Sequence, residues 1–380
     1  MLHIAGWYPN IHGPHETPFI PRHIEATRPW CTNTVWHIEV RPGDRWRFTR
    51  KNLGADRTYL LETGTKRYLL LEWLATFLII WAWITRDRSQ GHDLVNFHIA
   101  YPNCTHSGLL RKVMRLPFVI TEHWSAYHTK FNGAKKGTHR IKRIFHQGDR
   151  VIVVSEALAN DVAGFVGPPR PDLHVVDNAI DPNEFHPLPG TKIQEGIFFT
   201  IAGWRVPKRP DVLLEAVAVL RDEGKSIRLR IAGNGPKMPA MLEQIEALGL
   251  KDHVDLLGIL DAQAVASEVR GAHALVHCSD YETYSAVCAE ALCCGTPVVA
   301  SRVGGIPEFL TSDLGFLVNT NTAADWADTL RSAWKPLLEM DRGLISEKMS
   351  ARANKDSVGR AYVAVLRKAI AGTVGTDDQL

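Results

Sequence analysis

The run Ser279-Asp280-Tyr281-Glu282-Thr283-Tyr284-Ser285-Ala286-Val287-Cys288-Ala289-Glu290-Ala291-Leu292-Cys293-Cys294-Gly295-Thr296-Pro297-Val298-Val299-Ala300 decides how this chain is read. Before it, Ala274-Leu275-Val276-His277-Cys278 is a short apolar run of strand type. Ser285 has the chemistry of an N-cap, and residues 286–294 are small or apolar except for Glu290. Gly295 supplies a helix-terminating position, Pro297 prevents continuation, and residues 298–301 form the next buried strand. A strand-loop-helix-strand unit of a parallel sheet results. In such sheets ligands bind beyond the carboxyl ends of the strands, here the loop 279–285, and the following helix presents free N–H groups there. An anion, most simply a phosphate, fits that position. Glu282 and Glu290 stand out in these surroundings, because an ionised carboxylate among apolar groups is costly unless something polar meets it.

The same alternation extends outward in both directions and predicts an α/β protein with parallel sheets. Strands are expected at residues 2–6, 34–40, 94–98, 118–121, 151–154 and 173–176, with helices at 19–27, 68–85, 141–146 and 156–166, which makes one Rossmann-like domain. Pro182 to Glu195 has linker composition. A second unit follows, with strands at 196–202, 227–232 and 254–257 and helices at 211–222, 238–248 and 262–271, before the stretch quoted above.

Glu282, seven residues, Glu290, then Ala291 to Ala300 and Gly304-Gly305-Ile306-Pro307-Glu308 resemble the donor-binding signature of glycosyltransferase family 4. The resemblance covers nearly the whole chain and is densest over residues 198–320. It implies the GT-B architecture: two Rossmann-like domains facing each other across a cleft, with a C-terminal helix near 357–370 crossing back to the first. The corresponding boundaries are 1–188 for an acceptor-binding domain, 189–355 for a nucleotide-sugar donor domain, and 356–380 for the returning helix and tail. It implies further that Glu282 binds hydroxyls of the transferred sugar and Glu290 those of the nucleotide ribose, with Thr283, Tyr284 and Ser285 beside them. The plain alternative for Glu290 is a helix carboxylate satisfied by a neighbouring Arg or backbone group.

Residues 203–211 join a strand to a helix and cluster Arg205, Lys208 and Arg209 where a diphosphate could lie. Such cations can offset charge that develops on a leaving phosphate. The loop resembles the family's glycine-arginine loop ending in lysine, with two departures: Trp204 takes the arginine place after Gly203, and the loop reads as one residue short. Lys208 and Arg205 are therefore the expected phosphate ligands. Gly233-Asn234-Gly235 permits close backbone approach, and by resemblance borders the donor base. Thr121-Glu122-His123 follows a strand; a histidine there is commonly structural, but the resemblance places one beside the transferred sugar. His98 ends a neighbouring strand. Tyr8 and Thr17 belong to the family's first strand-helix turn, with Thr17 where glycine is common, and stand on the acceptor side.

With 45% hydrophobic and 22% charged residues, the 380-residue chain has a globular composition. Six cysteines without Cys-x-x-Cys spacing read as reduced thiols, and residues 2–6 read as a strand rather than a secretory leader, so a cytoplasmic enzyme is expected. Net charge is only +3, yet residues 101–150 hold a local excess of +8. That excess fits a solvated surface, or one that approaches anionic lipid or a pyrophosphate-linked acceptor. Nucleic acid is not an expected partner, because no reading motif accompanies the basic stretch. From Trp73 to Thr85 the chain carries no charge, a run shorter than the roughly 20 residues that span a bilayer. It reads as a core helix or as one lying on the inner membrane face.

No Asp-x-Asp motif or His/Cys metal spacing is visible, so no metal or other cofactor is expected beyond a nucleotide-sugar substrate. The resemblance implies a metal-independent, retaining hexosyltransferase in bacterial surface polysaccharide or glycolipid assembly, acting on a glycan or lipid-linked acceptor. His123, Glu282, Lys208 and Arg205 would act at the reacting centre. An epimerase or phosphorylase on the same fold, or a non-catalytic partner subunit, are the competing readings.

Overall fold

The computed structural model describes residues 1–6, 8, 19–53, 56–87, 91–131 and 138–374, which form two compact units. The first comprises residues 1–179 together with the chain from Lys355 on, and the second Ile180–Asn354.

In the first unit the elements run β1 (Leu2–Ala5), α1 (Phe19–Thr27), β2 (Thr34–Pro42), β3 (Arg47–Leu53), β4 (Asp56–Thr63), α2 (Tyr68–Ala82), β5 (Val95–His98), α3 (Ser107–Met114), β6 (Phe118–Glu122), α4 (Ala126–Thr129), α5 (His139–Gln147), β7 (Arg150–Val153), α6 (Glu156–Val166) and β8 (Leu173–Val175). The strands form one sheet in the order β3-β4-β2-β1-β5-β6-β7-β8, parallel except for β3 against β4. β1, β5 and β6 are buried along their whole length, as parallel strands covered on both faces must be. The sequence gives little sign of β3 and β4. β3 is an edge strand carrying Arg47, Arg50 and Lys51, and such charges suit a strand that must not pair with another chain.

The second unit contains β9 (Gln194–Gly203), α7 (Pro210–Asp222), β10 (Arg228–Asn234), α8 (Met238–Ala247), β11 (Val254–Gly258), α9 (Ala262–Gly271), β12 (Ala272–His277), α10 (Ala286–Cys293), β13 (Val298–Ser301), β14 (Gly315–Val318), α11 (Ala323–Glu339) and α12 (Arg342–Ala353). Its six strands are parallel in the order β11-β10-β9-β12-β13-β14. The chain order reverses between β9 and β12, and ligands of open α/β sheets bind at such a switch point. Residues expected to link the units pack with the second one: Arg270 donates from Nε to the His186 carbonyl and from Nη2 to the Glu184 carbonyl, both at 2.7 Å.

The last helix, α13 (Lys355–Val374), returns to the first unit and packs on α1, β6 and β7. Val358, Tyr362, Val365 and Leu366 bury against Val119 and Ile152, each contributing about 1.5–3 kcal/mol of apolar burial. Inside that contact the Tyr362 hydroxyl meets the Thr121 hydroxyl and accepts from Asn96 Nδ2 at 2.7 Å, so its polar end is satisfied.

Candidate functional site

The loop after β9 and the loop after β12 are zipped together by their backbones. Arg209 N donates to the Cys278 carbonyl and Asp280 N to the Pro207 carbonyl, both at 3.0 Å, around a bridge between Lys208 and Ser279. Asn321 braces the second loop, donating from Nδ2 to the Ser279 carbonyl (2.8 Å) and to Asp280 Oδ1 (2.9 Å). The pairing carries Lys208 to Glu282, whose Oε1 accepts from the Lys208 ammonium and, at 2.7 Å, from His277 Nε2. Gly304 closes the other side. Its φ is +51°, a side chain there would put Cβ 1.7 Å from the Glu282 carbonyl oxygen, and Gly305 N donates to that oxygen at 3.1 Å.

Burial pushes the Glu282 carboxyl up, but Lys208 and His277 outweigh burial and hold it down at about 2. Glu282 is thus an ionised acceptor near neutral pH rather than a proton donor. Burial and the Lys208 charge lower the pKa of His277 against the pull of Glu282. His277 is the residue that sequence reasoning missed: one histidine in an apolar strand carries no pattern, although its place at the carboxyl end of β12 was a usable signal.

Ser285 departs from the expected N-cap geometry. Its φ and ψ are +73° and +77°, it makes no side-chain capping bond, and its hydroxyl donates to Cys288 Sγ at 3.1 Å. A normal cap needs an extended residue, as at Ser155, whose hydroxyl accepts from Leu158 N at 3.0 Å. The left-handed turn leaves the first amides of α10 without a side-chain partner, which suits an anion there. Glu290 is buried on the same helix, and both it and Glu282 act electrostatically on the Cys288 thiol, which burial, as the larger effect, pushes up to about 12. Tyr284 is 1% exposed, with its ring centroid 5.2 Å from that of Phe309, so its ring belongs to the core; Thr283 is half-buried between Glu282 and Tyr284.

Gly203 and Gly233-Asn234-Gly235 lie side by side at the ends of β9 and β10, where Trp204 N donates to the Asn234 carbonyl at 2.9 Å. A side chain at Gly235 would meet the Trp204 carbonyl at 2.4 Å. Trp204 itself is buried, with Nε1 donating to the Ala232 carbonyl at 2.9 Å, so the place where the resemblance expects arginine is structural here. Of the neighbouring cations, Arg205 is exposed, whereas Arg209 is engaged by both carboxylate oxygens of Asp211 and by Asp280.

In the first unit, His123 follows β6 and is 6% exposed. Neither ring nitrogen has a hydrogen-bond partner among the described residues, and the ring lies among Phe19, His23 and His98 at centroid distances of 4.6, 5.3 and 6.2 Å. Burial, with a contribution from His23, keeps its pKa well below the usual range, so the ring is neutral. The buried Glu122 carboxylate orders the turn: it accepts from His123 N and Trp124 N (both 2.9 Å), Ala100 N (3.1 Å) and the Tyr127 hydroxyl (2.8 Å). His98 is fully buried beneath, 2.9 Å from His3. Tyr8 packs on the cluster of Ile20, Ile24 and Val35 and lies 6.2 Å from the His37 ring. Thr17 falls outside the described residues.

Two family models match this chain: "Glycosyltransferase Family 4" over residues 40–184 and "Glycosyl transferases group 1" over residues 187–345. The chain belongs to glycosyltransferase family 4. Among its relatives is the D-inositol 3-phosphate glycosyltransferase of Saccharomonospora viridis, 30% identical over 257 residues, which are 62% of this chain and 59% of that protein. The chain spans about half the length of the curated relatives it matches. Sucrose-phosphate synthase from Thermosynechococcus elongatus shares the fold with a TM-score of 0.77 at 19% identity, over 98% of this chain and 99% of that one. Anabaena HepE in complex with UDP and glucose does so with a TM-score of 0.73 at 14% identity, over 96% and 99%. The two α/β units and the returning helix are thus those of a family 4 GT-B fold.

Proposed function

We propose that this family 4 protein transfers a hexose from a nucleotide-diphosphate sugar to a glycan or lipid-linked acceptor with retention of configuration. The observation that carries the reading is the Glu282 carboxylate, held ionised between Lys208 and His277 and placed just before the uncapped start of α10. An ionised acceptor fits sugar hydroxyls, while a lysine, the exposed Arg205 and helix amides fit a diphosphate whose negative charge grows as it departs. Glu290 would take the ribose hydroxyls, and the glycines at the ends of β9 and β10 would admit the base. Neutral His123 would bond a sugar hydroxyl through a free ring nitrogen. The nucleotide diphosphate would leave from the face that the acceptor hydroxyl attacks, with positioning and fixed charge supplying the acceleration. In this reading the protein's own cations, rather than a resident metal, meet the leaving group. A bacterial surface polysaccharide or glycolipid as product, and a cytoplasmic setting for the reaction, belong to the same proposal.

The test is turnover with a panel of UDP-, GDP- and ADP-sugars, scored as donor hydrolysis and as transfer to added acceptors. Glu282→Ala and Lys208→Ala should each lower turnover by about 10²–10³, the scale for losing one charge-stabilising group. Undiminished turnover in both folded variants would sink the proposal. Donor interconversion without acceptor, or turnover that requires free phosphate, would indicate an epimerase or a phosphorylase instead.

A further inference from the structure

The helix α2 is buried on one side only. Leu71, Ala75, Ile79 and Ala82 pack inward, and its one charged residue, Glu72, is 2% exposed and ion-paired with Arg140. The opposite side is also apolar: Leu69, Leu70, Trp73, Phe77, Trp81 and Ile84 are between 40% and 59% exposed. Their spacing of three and four residues draws one stripe, about 17 Å long from Leu70 to Trp81 at 1.5 Å per residue, with Ile84 in the π-helical turn Trp83–Asp87 that follows α2. The edge strand β3 extends it, because the Phe48 ring meets Trp81 at 6.3 Å, and Trp46 stands just before that strand. Phe48 and Trp46 are 49% and 58% exposed.

Exposed cations border this surface: Lys66 and Arg67 at the start of α2, Arg50 on the Phe48 face of β3, and Arg45 in the preceding turn. Among the described residues none of the four forms an ion pair with a carboxylate. A continuous apolar stripe with tryptophans, rimmed by four unpaired cations against the one exposed acid Asp44 beside Arg45, and with the acid of α2 turned inward, matches an interface between hydrocarbon and anionic headgroups. No described helix is long and apolar enough to cross a membrane, so the stripe would lie along the surface. A second copy of the chain is a poorer occupant, because a two-fold contact would bring the same cations together.

We propose that α2 and the β3 edge form a docking face for an anionic phospholipid bilayer. The test is flotation of the full chain with phosphatidylcholine vesicles, with and without phosphatidylglycerol, which needs no nucleotide sugar and so is independent of the transfer assay. Flotation is expected with phosphatidylglycerol, falling about tenfold on phosphatidylcholine alone or at high salt. Leu69→Glu/Phe77→Glu should abolish it, and Lys66→Glu/Arg67→Glu should weaken it, with circular dichroism unchanged. Phe77→Ser is the milder variant if the double change disturbs folding. Absence of flotation with phosphatidylglycerol, or equal flotation of all variants, overturns the proposal. So does a dimer in sedimentation velocity that Phe77→Ser dissociates in a chain that ignores vesicles.

Discussion

The two units present their candidate residues in opposite electrostatic states. In the second, Glu282 is a charge held by charges: a lysine and a histidine converge on one carboxylate oxygen, and the surrounding loops are bonded to each other. In the first, His123 is a neutral ring inside a group of aromatic and imidazole rings, with no hydrogen-bond partner among the described residues. The difference is one of preorganisation. The Glu282 carboxylate is fixed by Lys208 and His277 before any ligand arrives, whereas the His123 ring offers desolvated nitrogens with nothing among the described residues competing for them.

The largest expected effect breaks the charged side. Glu282→Gln keeps the shape and removes the charge, and should lower kcat by about 10²–10³ with the fold intact, as read from steady-state kinetics and circular dichroism. His123→Ala tests the neutral side: a loss in kcat of about tenfold to hundredfold is expected, with nucleotide affinity by calorimetry unchanged, since His123 lies in the other unit. Equal losses in affinity for both variants would erase the distinction.

His277 sharpens the comparison further. Replacing it by Leu removes one of the two groups that hold Glu282 near 2, so the carboxyl should rise toward its usual range and the acid limb of the pH–rate profile should move to higher pH. The accompanying loss at neutral pH should be about tenfold, and His277→Gln, which keeps a donor, should recover part of it.

Acid should also separate the units. His3 is lowered to about 3, His23 and His37 to about 4, and His98 and His123 well below the usual range, burial being the main cause in each. A depressed pKa means that the unfolded chain takes up the proton first. The stability concerned is complete above about pH 6.5 and falls as pH drops toward 3–4, by up to about 1.4 kcal/mol per histidine per pH unit. The second unit has two such histidines, His273 and His277, and its Glu282 contribution is lost only from about pH 4.5 down toward 2. Amide-exchange protection, corrected for intrinsic rates, should therefore fail in the first unit before the second between pH 7 and 5. The smallest effect concerns Ser285: Ser285→Gly should relieve its positive φ and stabilise the protein by about 0.5–1 kcal/mol in urea unfolding.

Much of this was legible in the chain. The strand-loop-helix-strand run from 274 to 301 combines a buried apolar run, a glycine, a proline and two unexplained acids, so both its path and its polar face follow from local chemistry. Ser285 differs from the expectation because a serine before a helix usually caps it, whereas here its backbone is left-handed and its hydroxyl turns to Cys288, a conformation that residue preference does not encode. β3 is hard to read because an exposed edge strand rich in arginine has no buried face to impose alternation, and β4, which lies between β3 and β2, buries the adjacent Tyr59 and Leu60 and so shows no period of two. The helix 68–85 was visible, but not which side of it stayed outside, since apolar residues occupy both.

By itself, then, the sequence determined the alternation of strands and helices, the switch-point loop after β12, and the presence of Glu282 and Lys208 on loops that follow strands. These rest on short-range rules of periodicity, capping and turns. Only the tertiary structure decided that Lys208 and His277 share one oxygen of Glu282, that Arg209 is engaged by Asp211 and Asp280, that Trp204 is core, and that a row of tryptophan, phenylalanine and leucine faces outward. Each depends on which loops pack against which, and so on the register of strands far apart in the chain.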